Sequence, residues 1–232
     1  LVETTGEMNG ILDQSNVTTW TDTDGIQYTG RQENGVLEGQ GICIYTDGTI
    51  YIGEFVNGIP NGSGTEYYDD GDYYVGTFTD GQRNGTGVCY YSDNGESKVW
   101  YCGEWVNGKR TGVGIEYFYS LAYYEGECLN GERSGMGSMH YSDGVYYGEW
   151  QAGVRTGTGV FRGSDGSCYF GEYRDSVASG FGVMYYIDGS HYEGEWENGK
   201  RNGIGTEYDA EGNKGYYGVW VDGEKENADS NN

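Results

Sequence analysis

The 232-residue sequence predicts an all-β chain, an elongated, twisted, single-layer antiparallel sheet of tandem β-hairpins. Three observations predict it. The phrase Tyr-x-Gly, often extended to Tyr-x-Gly-Glu-aromatic, recurs with its glycine at Gly30, Gly53, Gly76, Gly103, Gly126, Gly148, Gly171, Gly194 and Gly218, at spacings of 23, 23, 27, 23, 22, 23, 23 and 24 residues. A fixed period in this range marks a repeat array. Asn-Gly and Asp-Gly dipeptides punctuate the units, and these residues take up the positive φ of tight turns at low cost. Within the phrase every second residue is an aromatic or a glycine, the period of a strand.

Composition narrows the function classes. The chain has 45 Gly, 25 Tyr and one proline, Pro60. Glycine this abundant without a Gly-X-Y period excludes collagen, and 16% aromatic residues argue against disorder. A formal charge of −24, from 37 acidic and 13 basic residues, argues against nucleic acid, whose affinity comes from Lys and Arg on phosphates. The same sign disfavours membrane lipid and suits a basic or amphipathic helical partner. No run of 18 apolar residues is present. Cys43, Cys89, Cys102, Cys128 and Cys168 are odd in number and form no Cys-x-x-Cys. They read as small buried or half-buried side chains and favour a reducing, cytoplasmic setting.

Taken in order, residues 1–25 read as a degenerate half-repeat that caps the array, with strand character at 17–20 and a turn at Asp22 to Gly25. Residues 26–223 form the array. Each unit opens with the Tyr-x-Gly-Glu-aromatic strand and turns at Asn57-Gly58, Asp80-Gly81, Asn107-Gly108, Asn130-Gly131 or Asn198-Gly199. A loop with one or two basic residues then leads to a Gly-x-Gly pair. Second strands follow at 42–45, 65–68, 88–91, 115–118, 138–141, 183–186 and 206–208, and Asp-Gly turns lead onward at Asp47, Asp70, Asp143, Asp165 and Asp188. Three units deviate. Glu96 to Val99 are extra and predict a bulged-out loop, Ser176 to Ser179 replace the Gly-Lys-Arg turn, and Ser120, Leu121 and Ala122 replace an Asp-Gly turn. Residues 224–232 read as a polar, frayed tail.

Strand alternation puts Tyr28, Tyr51, Tyr74, Tyr101, Tyr124, Tyr146, Tyr169, Tyr192 and Tyr216 on one face beside Phe55, Phe78, Trp105, Trp150, Tyr173, Trp196 and Trp220. Glycines between these rows let rings lie on bare backbone, giving a single sheet a core. About eight hairpins at roughly 4.8 Å per strand predict an array on the order of 80 Å long, coiled by strand twist around an aromatic groove. The second-strand tyrosines Tyr67, Tyr90, Tyr117, Tyr185 and Tyr208 form a further column and are the candidate partner-binding residues. Arg83, Lys109, Arg110, Arg133, Arg155, Lys200 and Arg201 fall in one turn column and are the candidate lipid or anion edge, although pairing between repeats is the preferred reading. The glutamates Glu54, Glu104, Glu127, Glu149, Glu172 and Glu195 repeat without a nucleophile, so they read as acceptors for turn amides or for the arginines. His140 and His191 lack triad or metal-ligand spacing. No catalytic residue, metal site or cofactor is expected.

The phrase Tyr-x-Gly-Glu-Trp-x-x-Gly-Lys-Arg-x-Gly-x-Gly, at Tyr101 to Gly114 and Tyr192 to Gly205, resembles the MORN (membrane occupation and recognition nexus) repeat over roughly residues 26–223. The resemblance implies an antiparallel array of hairpins and a scaffold role, in which an aromatic groove or acidic face engages a protein partner. It also raises a membrane or phosphoinositide adaptor and an accessory domain of a larger enzyme, while the Lys-poor, Thr- and Asn-rich composition raises an extracytoplasmic surface or fibre protein, and an exposed edge strand raises self-association. Many turns of the family carry histidine after the basic pair, where this chain has Asn84, Thr111, Ser134, Thr156 and Asn202. With the acidic charge, that departure argues against phospholipid.

Overall fold

The computed structural model describes residues 16–93, 96–118 and 122–226. These contain nineteen strands and no helix, and the strands fall in one antiparallel sheet built from consecutive hairpins. The chain divides after Gly114 into two compact units. In the first run β1 (Val17–Thr21), β2 (Gln27–Glu33), β3 (Val36–Ile44), β4 (Ile50–Val56), β5 (Ile59–Tyr67), β6 (Tyr73–Thr79), β7 (Gln82–Asp93), β8 (Glu96–Val106) and the start of β9 (Lys109–Tyr117). The second continues through β10 (Tyr123–Leu129), β11 (Glu132–Tyr141), β12 (Gly144–Gln151), β13 (Val154–Gly163), β14 (Cys168–Arg174), β15 (Val177–Tyr185), β16 (His191–Glu197), β17 (Lys200–Tyr208), β18 (Lys214–Val221) and β19 (Glu224–Lys225).

Two kinds of turn alternate. At one end of each hairpin two residues suffice, as at Asn57 (φ 52°) and Gly58 (φ 78°). Both angles are positive, which matches the twist of the flanking strands. The turn glycine then donates its N–H to the preceding hairpin, Gly58 to the Leu37 carbonyl and Gly81 to that of Pro60, both at 2.9 Å. At the other end an aspartate closes a longer turn: Asp47 accepts from the Thr49 amide and Asp188 from that of Ser190, each at 2.9 Å.

The stretch expected as a loop after each Asn-Gly turn is strand. β5 begins at Ile59, directly after Gly58, and the Gly-x-Gly pair lies inside it at a register shift between Gly53 and Phe55. The extra residues make a β-bulge. Glu104 shows what holds it: its carboxylate accepts from the Val113 amide at 3.2 Å, and Glu127, Glu149 and Glu172 repeat the bond to Met136, Thr158 and Phe181. The glutamates therefore serve backbone amides, the first of the two acceptor roles expected for them. Gly112, at φ 64°, is required twice over, because a Cβ there would lie 2.5 Å from Glu104 Oε2.

The four extra residues near Glu96 do not bulge out as a loop. They lengthen the β7/β8 hairpin, which pairs out to Asp93 and Glu96, and a shift at Cys89/Tyr90 absorbs the change. The Ser120–Leu121 replacement lies outside the described residues. Where Ser176 stands in place of the turn glycine, the two-residue turn survives with Asp175 at φ 51° and Ser176 at φ 68°. Glu224 and Lys225 pair with Val221 and Trp220, so the described start of the polar tail is strand.

One face of each unit holds the core. Tyr51, Tyr74, Tyr101, Tyr124, Tyr146 and Tyr192 are 0–1% exposed. Each ring lies across two facing glycines of its own hairpin. A Cβ on Gly76 or Gly87 would sit 2.2 Å from the Tyr74 hydroxyl, and that hydroxyl donates to the Thr77 carbonyl. Edge-to-face contacts join the rings into a zigzag. In the first unit it runs Tyr51–Phe78 at 4.8 Å, Phe78–Tyr74 at 5.3 Å, Tyr74–Trp105 at 5.3 Å and Trp105–Tyr101 at 5.3 Å. In the second it runs from Tyr124 through Trp150, Tyr146, Tyr173, Tyr169, Trp196, Tyr192 and Trp220 to Tyr216. Each such pair adds about 0.5–1.5 kcal/mol beyond area burial. This is how a sheet without a covering layer excludes water from one side.

Candidate functional site

The opposite face carries the candidate partner residues. Tyr67, Tyr117 and Tyr185 are 39, 43 and 48% exposed, and Tyr90 and Tyr208 are half-buried. They do not stand alone. Cross-strand register inserts Tyr73 between Tyr67 and Tyr90, with ring centroids at 5.5 and 4.5 Å. Tyr123 stacks between Tyr117 and His140, and His191 stacks 5.2 Å from Tyr185 and 4.4 Å from Tyr208. Sequence reasoning missed these partners, including both histidines. The signal available was the position just before each core tyrosine, which is aromatic or histidine at Tyr73, Tyr123 and His191.

Beside this column in the first unit, Ile52, Thr65, Val75, Val88 and Cys102 line a shallow groove of about 760 Å³ over the backs of the glycines. Cys102 is exposed there, unlike buried Cys43, Cys89 and Cys128. In the second unit the same face leaves Met136, Tyr147, Phe170, Phe181, Ile204 and Tyr217 39–61% exposed. Cross-strand glutamates interleave with them, Glu149 opposite Met136 and Glu195 opposite Phe181. The result is an apolar face studded with carboxylates, the inverse of a basic amphipathic segment.

The arginines of the turn column lie on the core face, over the rings. Arg83 Cζ is 4.6 Å from the Tyr74 ring, 5.2 Å from Trp105 and 5.4 Å from Tyr68. Arg133, Arg155 and Arg201 repeat that arrangement within 6 Å, and Arg110 covers Trp100 and Tyr101. Three of these charges are answered by carboxylates inside the chain, Arg83 by Glu66 at 2.9 Å, Arg133 by Glu116 at 3.9 Å and Arg201 by Glu207 at 2.5 Å, and Arg155 donates to the Ser176 carbonyl at 2.6 Å. The Arg83 and Arg201 side chains are 19% exposed. Lys109 and Lys200 are exposed. Lys225, opposite Trp220, continues the column and pairs with Glu207 at 2.6 Å. Among the described residues no cluster of His, Cys, Asp and Glu can hold a metal ion.

Comparison with known proteins agrees with this geometry. The MORN repeat family model matches eight times, at residues 28–50, 51–73, 74–96, 101–120, 124–145, 146–168, 169–191 and 192–214. No curated protein sequence matches the chain. Among solved structures it is similar to the SAS-4 (dCPAP) TCP domain of Drosophila melanogaster, solved with a proline-rich motif of Ana2 (dSTIL): 13% identity, TM-score 0.35, covering 88% of this chain and 90% of that one. It is also similar to a single-substitution mutant of the Danio rerio CPAP TCP10 domain, at 10% identity and TM-score 0.35, and to the wild-type domain with a STIL peptide, at 9% and 0.29. Each of these alignments covers 88% of this chain and 99% of the other.

Proposed function

We propose that this chain, which belongs to the MORN repeat family, is a non-enzymatic scaffold that binds a protein partner through the face opposite its aromatic core. Residues 26–223 act as the array, with 1–25 as its cap and 224–232 as its tail. The observation that carries the reading is the column of Tyr67, Tyr73 and Tyr90 and, in the second unit, of Tyr117, Tyr123, Tyr185 and Tyr208, in which exposed Tyr67, Tyr117 and Tyr185 stack on half-buried rings beside apolar side chains alternating with glutamates. Exposed contiguous apolar surface rimmed by charge is the usual mark of an interaction site. A basic amphipathic helix matches it in both respects. The arginines favour a structural part over an anion-binding edge, because rings and carboxylates already occupy their guanidinium groups.

The test is capture from source lysate by the immobilised chain and by a Tyr67→Ser, Tyr90→Ser, Tyr117→Ser variant, with circular dichroism confirming that the variant folds. A partner held by the native chain and lost by the folded variant supports the reading. Equal capture by both, or binding only to anionic vesicles, rejects it.

A further inference from the structure

The core face holds a second feature, in the unit whose turn lacks Gly-Lys-Arg. Ala178 lies opposite Tyr173 in β14/β15, the place that Arg155 takes opposite Trp150 and Arg201 opposite Trp196. Arg155 and Arg201 each rest against three rings: a core tyrosine, the aromatic of the next hairpin, and a ring that ends the previous strand pair. For Ala178 the first two are present as Tyr169 and Trp196, and the third position is Gly163. The cation and one of its three rings are both missing here.

What remains is a cleft of about 840 Å³ whose lining includes Ala178, Tyr169, Trp196, Phe161, Met184 and Asp143. The missing side chains leave a visible trace. Trp105, Trp150 and Trp220 are 2–4% exposed, whereas Trp196 is half-buried. Tyr169 is 6% exposed, where Tyr146 and Tyr192 are 0%.

We propose that this cleft receives an arginine side chain of a partner polypeptide, inserted between Tyr169 and Trp196 as the chain's own guanidinium groups are inserted elsewhere. The site goes beyond the interaction face above, since it lies on the other side of the sheet. Three observations choose the occupant. The equivalent slots hold a guanidinium 4.6–5.5 Å from the paired rings in Arg155 and Arg201, and a desolvated cation over such faces is favoured. An acceptor is in place: Arg155 donates to the Ser176 carbonyl at 2.6 Å, and the corresponding residue one hairpin on, Gly199, lines the cleft. Asp143 lines it too and makes no ion pair among the described residues. Three cations also line it: Arg201 is paired with Glu207, Lys200 with Asp222, and Arg155 is held by its own rings and the Ser176 carbonyl. Arg133 and Arg155 already sit in adjacent slots, so a neighbouring guanidinium does not exclude another. The overall charge of −24 draws a basic partner in.

The test titrates the full chain with acetyl-Gly-Gly-Arg-Gly-Gly-amide, its citrulline twin and its leucine twin, following the Trp196 indole N–H by nuclear magnetic resonance. The arginine peptide is expected to shift that signal and to bind at least about tenfold tighter than either twin. Two variants fill the cleft from within: Ala178→Arg restores the side chain of the other repeats, and Ala178→Met fills it without charge. Both are expected to lose the shift, and Ala178→Arg to raise the melting temperature. Equal binding of the citrulline peptide, preference for leucine, silence at Trp196, or undiminished binding by the filled variants overturns the proposal. None of these readouts involves the tyrosine column, so failure here leaves the reading of that face intact.

Discussion

At Tyr74 a single ring and two absent side chains make the unit of stability. The ring covers Gly76 and Gly87, and the hydroxyl reaches the Thr77 carbonyl. Gly87→Ala is expected to cost about 1–3 kcal/mol, the range for overpacking a closed site, read as a lowered urea midpoint; an unchanged midpoint would show that the ring yields freely. Burial also governs ionisation. It pushes Tyr146 up to about 12 against the pull of Arg155, and Tyr192 to the same value against Arg201. A phenol with an ordinary value near 10 therefore holds its proton more tightly in the folded state. The stability it confers is complete below about pH 10 and falls as pH rises through about 12. Urea midpoints measured across that window should be flat and then drop; a flat profile throughout would contradict the burial of the ladder. Burial likewise raises the Cys43 and Cys89 thiols to about 11. A thiol reagent should modify exposed Cys102 first in the native chain, with mass spectrometry locating the adduct. The ring-over-glycine packing was legible in the sequence, because Tyr-x-Gly at period two leaves few alternatives. The exposure of Cys102 was not, because a cysteine fits either face of a strand and the column around it gives no polar cue.

At the scale of the element, the hairpin is set by its two-residue turn. The first turn residue has φ of 49–54° at Asn34, Asn57, Asp80, Asn107, Asn130, Asp175, Asn198 and Asp222, and also at Ala152. Alanine bears the left-handed cost without the local hydrogen bonding that eases it for asparagine. Ala152→Asn should stabilise the chain by about 0.5–1 kcal/mol, visible as a raised melting temperature, and a loss would mean that the methyl group packs productively. Turn chemistry gave away the hairpins, but not where the second strands begin. Two glycines after a basic turn read as loop by propensity; in the structure the Glu104 carboxylate and its kin tie that stretch into the ladder as a bulge. The Glu96 insertion misled for a similar reason. Residues added where two paired strands connect can pair with each other, and a sequence period cannot register that.

For the molecule as a whole, charge sets a condition on stability. With 37 acidic and 13 basic residues, self-repulsion opposes the folded state. Raising salt from roughly 0.02 to 0.5 M screens it, so the melting temperature should rise; a fall would show that ion pairs such as Arg83–Glu66 outweigh the repulsion. The candidate interaction face was half legible. Its second-strand tyrosines, and His140 at the same position of its repeat, share one column in the sequence, whereas Tyr73, Tyr123 and His191 join it only through cross-strand register. The gap at Ala178 was visible as a missing arginine, but its size depends on Gly163, fifteen residues away. The zigzag of core rings has an optical consequence as well. Perpendicular tyrosines and tryptophans at 5.0–5.4 Å through the second unit form a relay for electronic excitation. Light absorbed by the core tyrosines should emerge as tryptophan emission. Tyrosine fluorescence should be faint in the native chain despite 25 Tyr against 6 Trp, and brighten only when the strands part.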